Sequence, residues 1–256
     1  MKKFRTIVMV LMALIVGVSF TSCKPDNGEE PTKKLVKFTS NGDENILKYD
    51  DQGHLIEYSD VMGLDGVTSI YTYRYVWKEN AIDITIDMDG VAQETCTLDL
   101  ENGLASGISE NPQTFNSSFK YNSSDRLIEC ENFMGTKSLE WNDDKLITIF
   151  VNSSITTRND SYTYEKNYIT KGYNPIIPYT ITTDLLYVAH PELAGLATQK
   201  LFNNENSNAV VGNKEYTFSY KYEYEFDEDG YVNKVIVRHN EEDCTHIVNE
   251  YTFVWE

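Results

Sequence analysis

The sequence predicts a mainly β protein: an antiparallel β-meander curved into a barrel-like or rolled sheet, with a short helical insert around 183–202. Three observations predict it. Apolar and polar residues alternate along successive segments, most clearly in Tyr216, Phe218, Tyr220, Tyr222, Tyr224 and Phe226, with Thr217, Ser219, Lys221, Glu223 and Glu225 between them. Each segment ends in an aromatic or large apolar residue followed by a turn rich in Asp, Asn or Gly. The turns recur at near-constant spacing. Period 2 places the rings on one face of a strand and the charges on the other, and a sheet with one wet face is antiparallel.

Composition sets the outer bounds. The chain has 256 residues, 22 basic and 40 acidic, for a formal charge of -18. That charge excludes nucleic acid as a partner, because phosphate binding requires Lys and Arg to displace counterions. An apolar content of 41% supplies a core. Four cysteines are too few for a disulfide scaffold at this length.

The first element is an address. Lys2, Lys3 and Arg5 precede an apolar run from Ile7 to Val18, and Phe20-Thr21-Ser22-Cys23 follows. This is the layout of a secretory signal. Small residues before the cysteine resemble the lipobox of bacterial lipoproteins, although Phe20 stands where Leu is commoner. The resemblance implies cleavage of residues 1–22 and acylation of Cys23, and several acyl chains anchor stably where one does not. The mature chain then holds 19 basic and 40 acidic residues, net -21. Residues 23–34 form the lipidated cysteine and a polar, Pro-containing tether. Asp26, Glu29 and Glu30 loosely resemble the surface-export signal of Bacteroidetes lipoproteins. The expected location is the outer membrane, lipid-anchored, on the periplasmic face or the cell surface.

The single domain spans 35–256. Its turns follow Tyr49, Trp77, Leu100, Tyr121, Trp141 and Tyr164, at steps of 28, 23, 21, 20 and 23 residues, one hairpin pair per step. The turn sequences, such as Asp50-Asp51-Gln52-Gly53 and Asn102-Gly103, suit positive φ and local side-chain bonding. Asp89-Gly90 reads as a two-residue hairpin turn rather than the start of a calcium loop, because the fuller spacing is absent. The next such turn, Phe226 to Gly230, comes 62 residues after Tyr164, so a segment is inserted. Pro175 and Pro178 break strand pairing there. Two short helices are predicted, over Thr183–Ala189 and Pro191–Ala197, covering one opening or face of the sheet. Asn203–Asn208 reads as a polar loop.

This order of elements resembles a family of Bacteroidetes lipoproteins with a porin-like fold and a domain of unknown function: the aromatic-turn-aliphatic meander, the Leu-rich insert, and the Tyr-rich strand ending in Phe226-Asp227-Glu228-Asp229-Gly230-Tyr231, behind a lipobox. The resemblance covers about residues 35–256. It implies a curved or barrel-like antiparallel sheet and supplies no catalytic residues. A membrane-spanning barrel is disfavoured: lipidation is redundant for it, Asp83 and Asp87 interrupt the Ile82, Ile84, Ile86 segment, and the chain ends Trp255-Glu256 without a terminal aromatic.

No catalytic motif and no cofactor motif is present. Cys96, Cys130 and Cys244 are read as small core groups rather than a pair plus one. The best metal grouping is His239, Cys244 and His246, with Cys244 and His246 two apart on one strand face; the preferred reading is a polar hairpin tip. Among the aromatic stripes, Tyr216, Tyr220, Tyr222 and Tyr224 are the binding candidates, because their strand is long enough to outrun the core. The expected function is a non-catalytic binding or structural role, with a glycan or an envelope protein as partner besides the membrane. The alternatives are a carrier of a small apolar solute under the helical insert, and a hydrolase of envelope or dietary glycan.

Overall fold

The computed structural model describes residues 33–256, apart from 65–66, 110–117, 133–134, 167, 183–184 and 241–244. The signal segment, Cys23 and the tether up to residue 32 lie outside the described residues, as does Cys244.

The body is a closed antiparallel barrel of 16 strands. Its first half is β1 (Leu35–Ser40), β2 (Asp43–Tyr49), β3 (Leu55–Leu64), β4 (Val67–Trp77), β5 (Ala81–Met88), β6 (Val91–Glu101), β7 (Leu104–Ser109) and β8 (Ser118–Tyr121). The second half is β9 (Leu127–Asn132), β10 (Gly135–Asn142), β11 (Lys145–Ser153), β12 (Thr156–Thr163), β13 (Asn204–Val211), β14 (Lys214–Phe226), β15 (Val232–Asn240) and β16 (Thr245–Trp255). Each strand pairs with the next, and β1 pairs with β16 through Phe38 opposite Phe253. Closure removes both sheet edges. The meander expected from the alternation is therefore a closed barrel and not an open roll.

The turns between even and odd strands all lie at one end, called the near end here. Three of them are built alike. The Oδ1 of Asp50 accepts the N–H groups of Gln52 and His54, that of Asn122 accepts Ser124 and Arg126, and that of Asp227 accepts Asp229 and Tyr231, all at 2.8–3.1 Å. Each turn closes through a residue at positive φ: Gly53, Asp125 or Gly230. The side chain satisfies two backbone donors, which is why Asp or Asn follows the aromatic anchor. At the far end, Asp89 and Gly90 form the expected two-residue turn with φ of 51° and 79°.

The outward face carries charged pairs, with exposed apolar side chains such as Ile46, Val76 and Phe150 between them. Lys48 meets Glu57 at 2.6 Å, Glu57 meets Arg74 at 3.1 Å, and Arg74 contacts Asp87, a ladder running across β2 to β5. Arg238 meets Glu223 at 3.0 Å across β14 and β15, and Lys234 meets Glu250 at 3.2 Å across β15 and β16. Ile82, Ile84 and Ile86 are buried inward while Asp83, between them, pairs with Lys78 at 2.5 Å outside.

The insert differs from its expected bounds. It contains α1 (Ile176–Thr182), α2 (Leu185–Ala189) and a 3-10 turn at Pro191–Ala194. The start signal of α1 is Asn174-Pro175: the Asn174 Oδ1 accepts the Ile176 N–H at 3.1 Å, and a proline follows the capping residue. Pro178 lies in the first turn, where its missing N–H costs nothing. The helix expected to reach Ala197 stops at Gly195, which adopts φ 60°. The predicted loop Asn203–Asn208 is instead mostly strand β13. Its polar residues alternate like the others: Glu205 and Ser207 are buried inside, while Asn206 and Asn208 bond to Ser219 and Thr217 on β14 at 3.1 Å.

The insert fills the near end. Leu186, Val188, Ala194 and Leu196 are fully buried. Its bonds reach strands all round the barrel: the Leu55 N–H donates to His190 Nε2 at 3.1 Å, Arg126 donates to the Ala197 carbonyl, Lys137 Nζ donates to the Ile181 carbonyl, and Thr198 Oγ1 donates to the Asp144 carbonyl at 2.6 Å. It is a plug, in line with the expected cover role. Lys33 and Lys34, read as the end of the tether, belong to the same end: Lys34 and Glu256 exchange backbone bonds at 2.6 and 2.9 Å, and Lys33 Nζ meets Asp227 at 3.1 Å.

Candidate functional site

With the near end plugged, the lumen's chemistry lies toward the far end, on the inner faces of β12, β13 and β14. Register fixes the arrangement. Arg158, Ala209 and Tyr216 face one another in one row, Asp160, Ser207 and Phe218 in the next, and Tyr162, Glu205 and Tyr220 in the third. Adjacent strands stand about 4.8 Å apart, so the arginine and tyrosine columns flank a column of small side chains.

The aromatic column continues sideways. The Tyr216 and Phe218 rings lie parallel within 3° at 6.2 Å, and Phe218 and Tyr220 are 6.3 Å apart. His239 on β15 stands 5.3 Å from Tyr220, and His246 on β16 stands 5.4 Å from His239. The two motifs singled out in the sequence thus join into one inner ring ladder. They also divide. Tyr216 is 41% exposed, whereas Tyr222 is a core residue and Tyr224 packs half-buried against the core. The Tyr222 hydroxyl donates to Glu205 Oε2 at 2.5 Å, and that of Tyr224 donates to the Phe202 carbonyl at 2.9 Å. Of the metal candidates, His239 and His246 face each other and Cys244 lies outside the described residues. No group of three or more His, Cys, Asp or Glu placed to hold a metal occurs among the described residues. Cys96 packs in the core as expected, and Cys130 is half-buried with its thiol pushed up by burial.

The opposite column carries the electrostatics. Arg158 Nη2 meets Asp160 Oδ2 at 2.9 Å; the Asp160 carboxylate is fully buried, while the arginine side chain is 41% exposed. Ser207 and Arg158 both act on the Asp160 carboxylate through their side chains, while Arg158 Nε and the Tyr162 hydroxyl are without hydrogen-bond partners among the described residues. Burial raises Asp160 above the ordinary carboxylate range and pushes Glu205 up to about 7, with the Tyr222 hydroxyl and Arg158 acting against it. Burial lowers Lys137.

Arg158, Asp160, Glu205 and Ser207 are the site residues that the apolar alternation does not reveal. Their signal is a period-2 pattern of charge against neutral polar neighbours: Arg158, Asp160 and Tyr162 alternate with Asn159 and Ser161.

No family model matches the chain, and no curated protein matches it. Solved structures do resemble it. A porin-like protein from Bacteroides vulgatus superposes with a TM-score of 0.59 at 14% identity, covering 87% of this chain and 99% of that one. A porin-like protein from Bacteroides uniformis gives 0.57 at 12% identity, covering 88% and 94%. At these identities the shared property is the fold: a porin-like antiparallel barrel.

Proposed function

We propose that the protein is a lipid-anchored lipoprotein of the outer membrane or cell surface, whose barrel stands in water and serves a non-catalytic binding role at its far mouth. The observation that carries the reading is the outward face. Glu57, Arg74, Glu223 and Arg238 sit along the strands and pair outside the barrel. A basic residue on a lipid face costs about 2–4 kcal/mol at midplane, so these outward pairs weigh against a spanning porin. Anchoring then falls to Cys23, as the signal and lipobox resemblance imply, and the likeness to porin-like Bacteroides proteins supports an envelope setting. A glycan or an envelope protein is the partner class that suits such a module. Cell fractionation tests the anchor: Cys23→Ala moves the protein from the envelope to the soluble fraction. Retention of the mutant in salt-washed membranes overturns the reading.

One observation favours a second reading, a glycan hydrolase. Glu205 and Asp160 lie on neighbouring strands with raised proton affinities, the pattern of a general acid beside a second carboxylate. Opposing it, Glu205 is engaged by Tyr222 and Asp160 by Arg158, and both are buried. Release of new reducing ends from oligosaccharides would select the hydrolase. The carrier reading draws no support, since the insert's apolar side chains are packed.

A further inference from the structure

Resting on that binding role, we infer that the ligand is a carbohydrate chain, held on the inner face of β12–β14 between the Arg158 column and the Tyr216–Phe218 ladder.

The two walls are chemically different and both incomplete. Tyr216 and Phe218 hold parallel rings, and Tyr216 is 41% exposed at the mouth. An aromatic face accepts the C–H face of a pyranose. Across the small side chains of Ala209 and Ser207, roughly 9–10 Å away by two interstrand spacings, stands Arg158. Its side chain is 41% exposed, and its guanidinium is oriented by the fully buried Asp160. An arginine fixed from behind by a carboxylate presents its remaining N–H donors in one direction. Hydroxyl and ring oxygens accept such donors.

Other ligand classes fit less well. An acyl chain leaves Arg158 facing hydrocarbon, and a buried polar group without a partner is costly. An organic cation suits the rings and acids but meets the positive charge of Arg158. A sugar ring, apolar on its faces and hydroxylated at its rim, matches both walls at once.

Isothermal titration calorimetry on the full mature chain in mild detergent tests this, with maltohexaose, mannohexaose, xylohexaose and trigalacturonate as probes. At least one probe binds, and Tyr216→Ala and Arg158→Gln each weaken it roughly tenfold or more, about 1.4 kcal/mol. Lys234→Ala, on the outer face, leaves affinity unchanged. Tyr216 is half-exposed, so its truncation keeps the fold even where the arginine variant does not; circular dichroism checks both. No heat with any probe, or binding indifferent to Tyr216→Ala, overturns the inference. Either failure leaves the anchoring test on Cys23 standing, so the ligand and the lipoprotein reading fall separately.

Discussion

The indole Nε1 of Trp141, at the end of β10, donates to the carbonyl of Leu127, the first residue of β9, at 2.7 Å. The same relationship recurs around the barrel. Tyr49 reaches the Leu35 carbonyl, Trp77 Leu55, Tyr121 Ala105, Tyr164 Leu146, Tyr224 Phe202 and Trp255 Val232, at 2.6–3.0 Å. The acceptor residues are buried to 1% exposure or less, and they follow the near end of the barrel with one gap. Each bond ties the open end of a hairpin whose own turn lies at the far end. The β5–β6 hairpin carries Leu100 at this position and has no donor to give. Aromatic anchors thus serve the fold twice, as apolar filling and as clamps on carbonyls near the bulges that end the strand pairing.

Trp141→Phe keeps a smaller aromatic ring and removes the donor. The Leu127 carbonyl then loses its side-chain partner in a buried setting, which costs about 1–2 kcal/mol. Urea melts give this as a lowered midpoint at unchanged slope. Trp255→Phe acts on a different hairpin, and the double variant sums the two losses. Unchanged midpoints in both single variants would mean that the clamps are incidental.

The clamps explain why so much of the fold is legible in the sequence. Aromatic, turn and aliphatic residues mark each near-end turn because each has a separate physical duty there. What escaped the pattern did so for definable reasons. β13 is polar on both faces: its inner Glu205 and Ser207 line a charged lumen, so no apolar alternation betrays it. The start of α1 is hidden because Pro175 signals strand breakage and helix entry alike. Tyr164 leads, after its turn, not into a strand but into the plug, where Ile169 makes a single bridge to Lys200. Arg158 and Asp160 join the site only because β12 pairs across the insert with β13, the neighbour of the Tyr216 strand.

Gly195→Ala should release the plug. Gly195 adopts φ 60°, and an added Cβ would collide with the Asp125 carbonyl oxygen in the β8–β9 turn. The left-handed backbone alone costs about 1 kcal/mol for alanine, whereas the collision forces the 3-10 turn off the barrel. Gly103→Ala has φ 82° with open space around it and isolates the backbone cost. Thermal melts of the two variants therefore separate: Gly195→Ala loses several degrees more than Gly103→Ala. Equal losses would place the plug's docking elsewhere.

Glu205 makes stability fall as pH rises. Its proton is held to about pH 7 in the folded chain by burial, against an ordinary value of 4.5. Between those values the folded state binds a proton that the unfolded state has released. Stability from this group is thus complete below about pH 4.5 and lost through pH 7, by roughly 2–4 kcal/mol. Asp160 adds in the same sense, while Asp227 and Glu57, held low, act only at more acid pH. Glu205→Gln keeps an acceptor for Tyr222 and removes the charge. The variant is more stable than the parent at pH 8 and matches it near pH 5. A parent whose melting temperature rises from pH 5 to pH 8 contradicts the assignment.

The outward ion pairs predict behaviour without lipid. A lipid-facing barrel aggregates when detergent is withdrawn, because its apolar belt has nowhere else to go. Here the equivalent surface carries Lys48, Glu57, Arg74, Glu223, Arg238, Lys234 and Glu250. Exposed pairs of this kind contribute at most about 1 kcal/mol each to folding, so their consequence is solvation more than stability. Apolar side chains such as Ile46, Val76 and Ile247 are interspersed among the strands' outward positions. Cys23→Ala protein purified without detergent therefore stays in the supernatant after ultracentrifugation and keeps a β-sheet circular dichroism spectrum. Raising salt to 1 M screens the pairs without precipitating it, since hydration of the individual charges persists. A requirement for detergent to keep the Cys23→Ala chain dispersed would restore the spanning barrel.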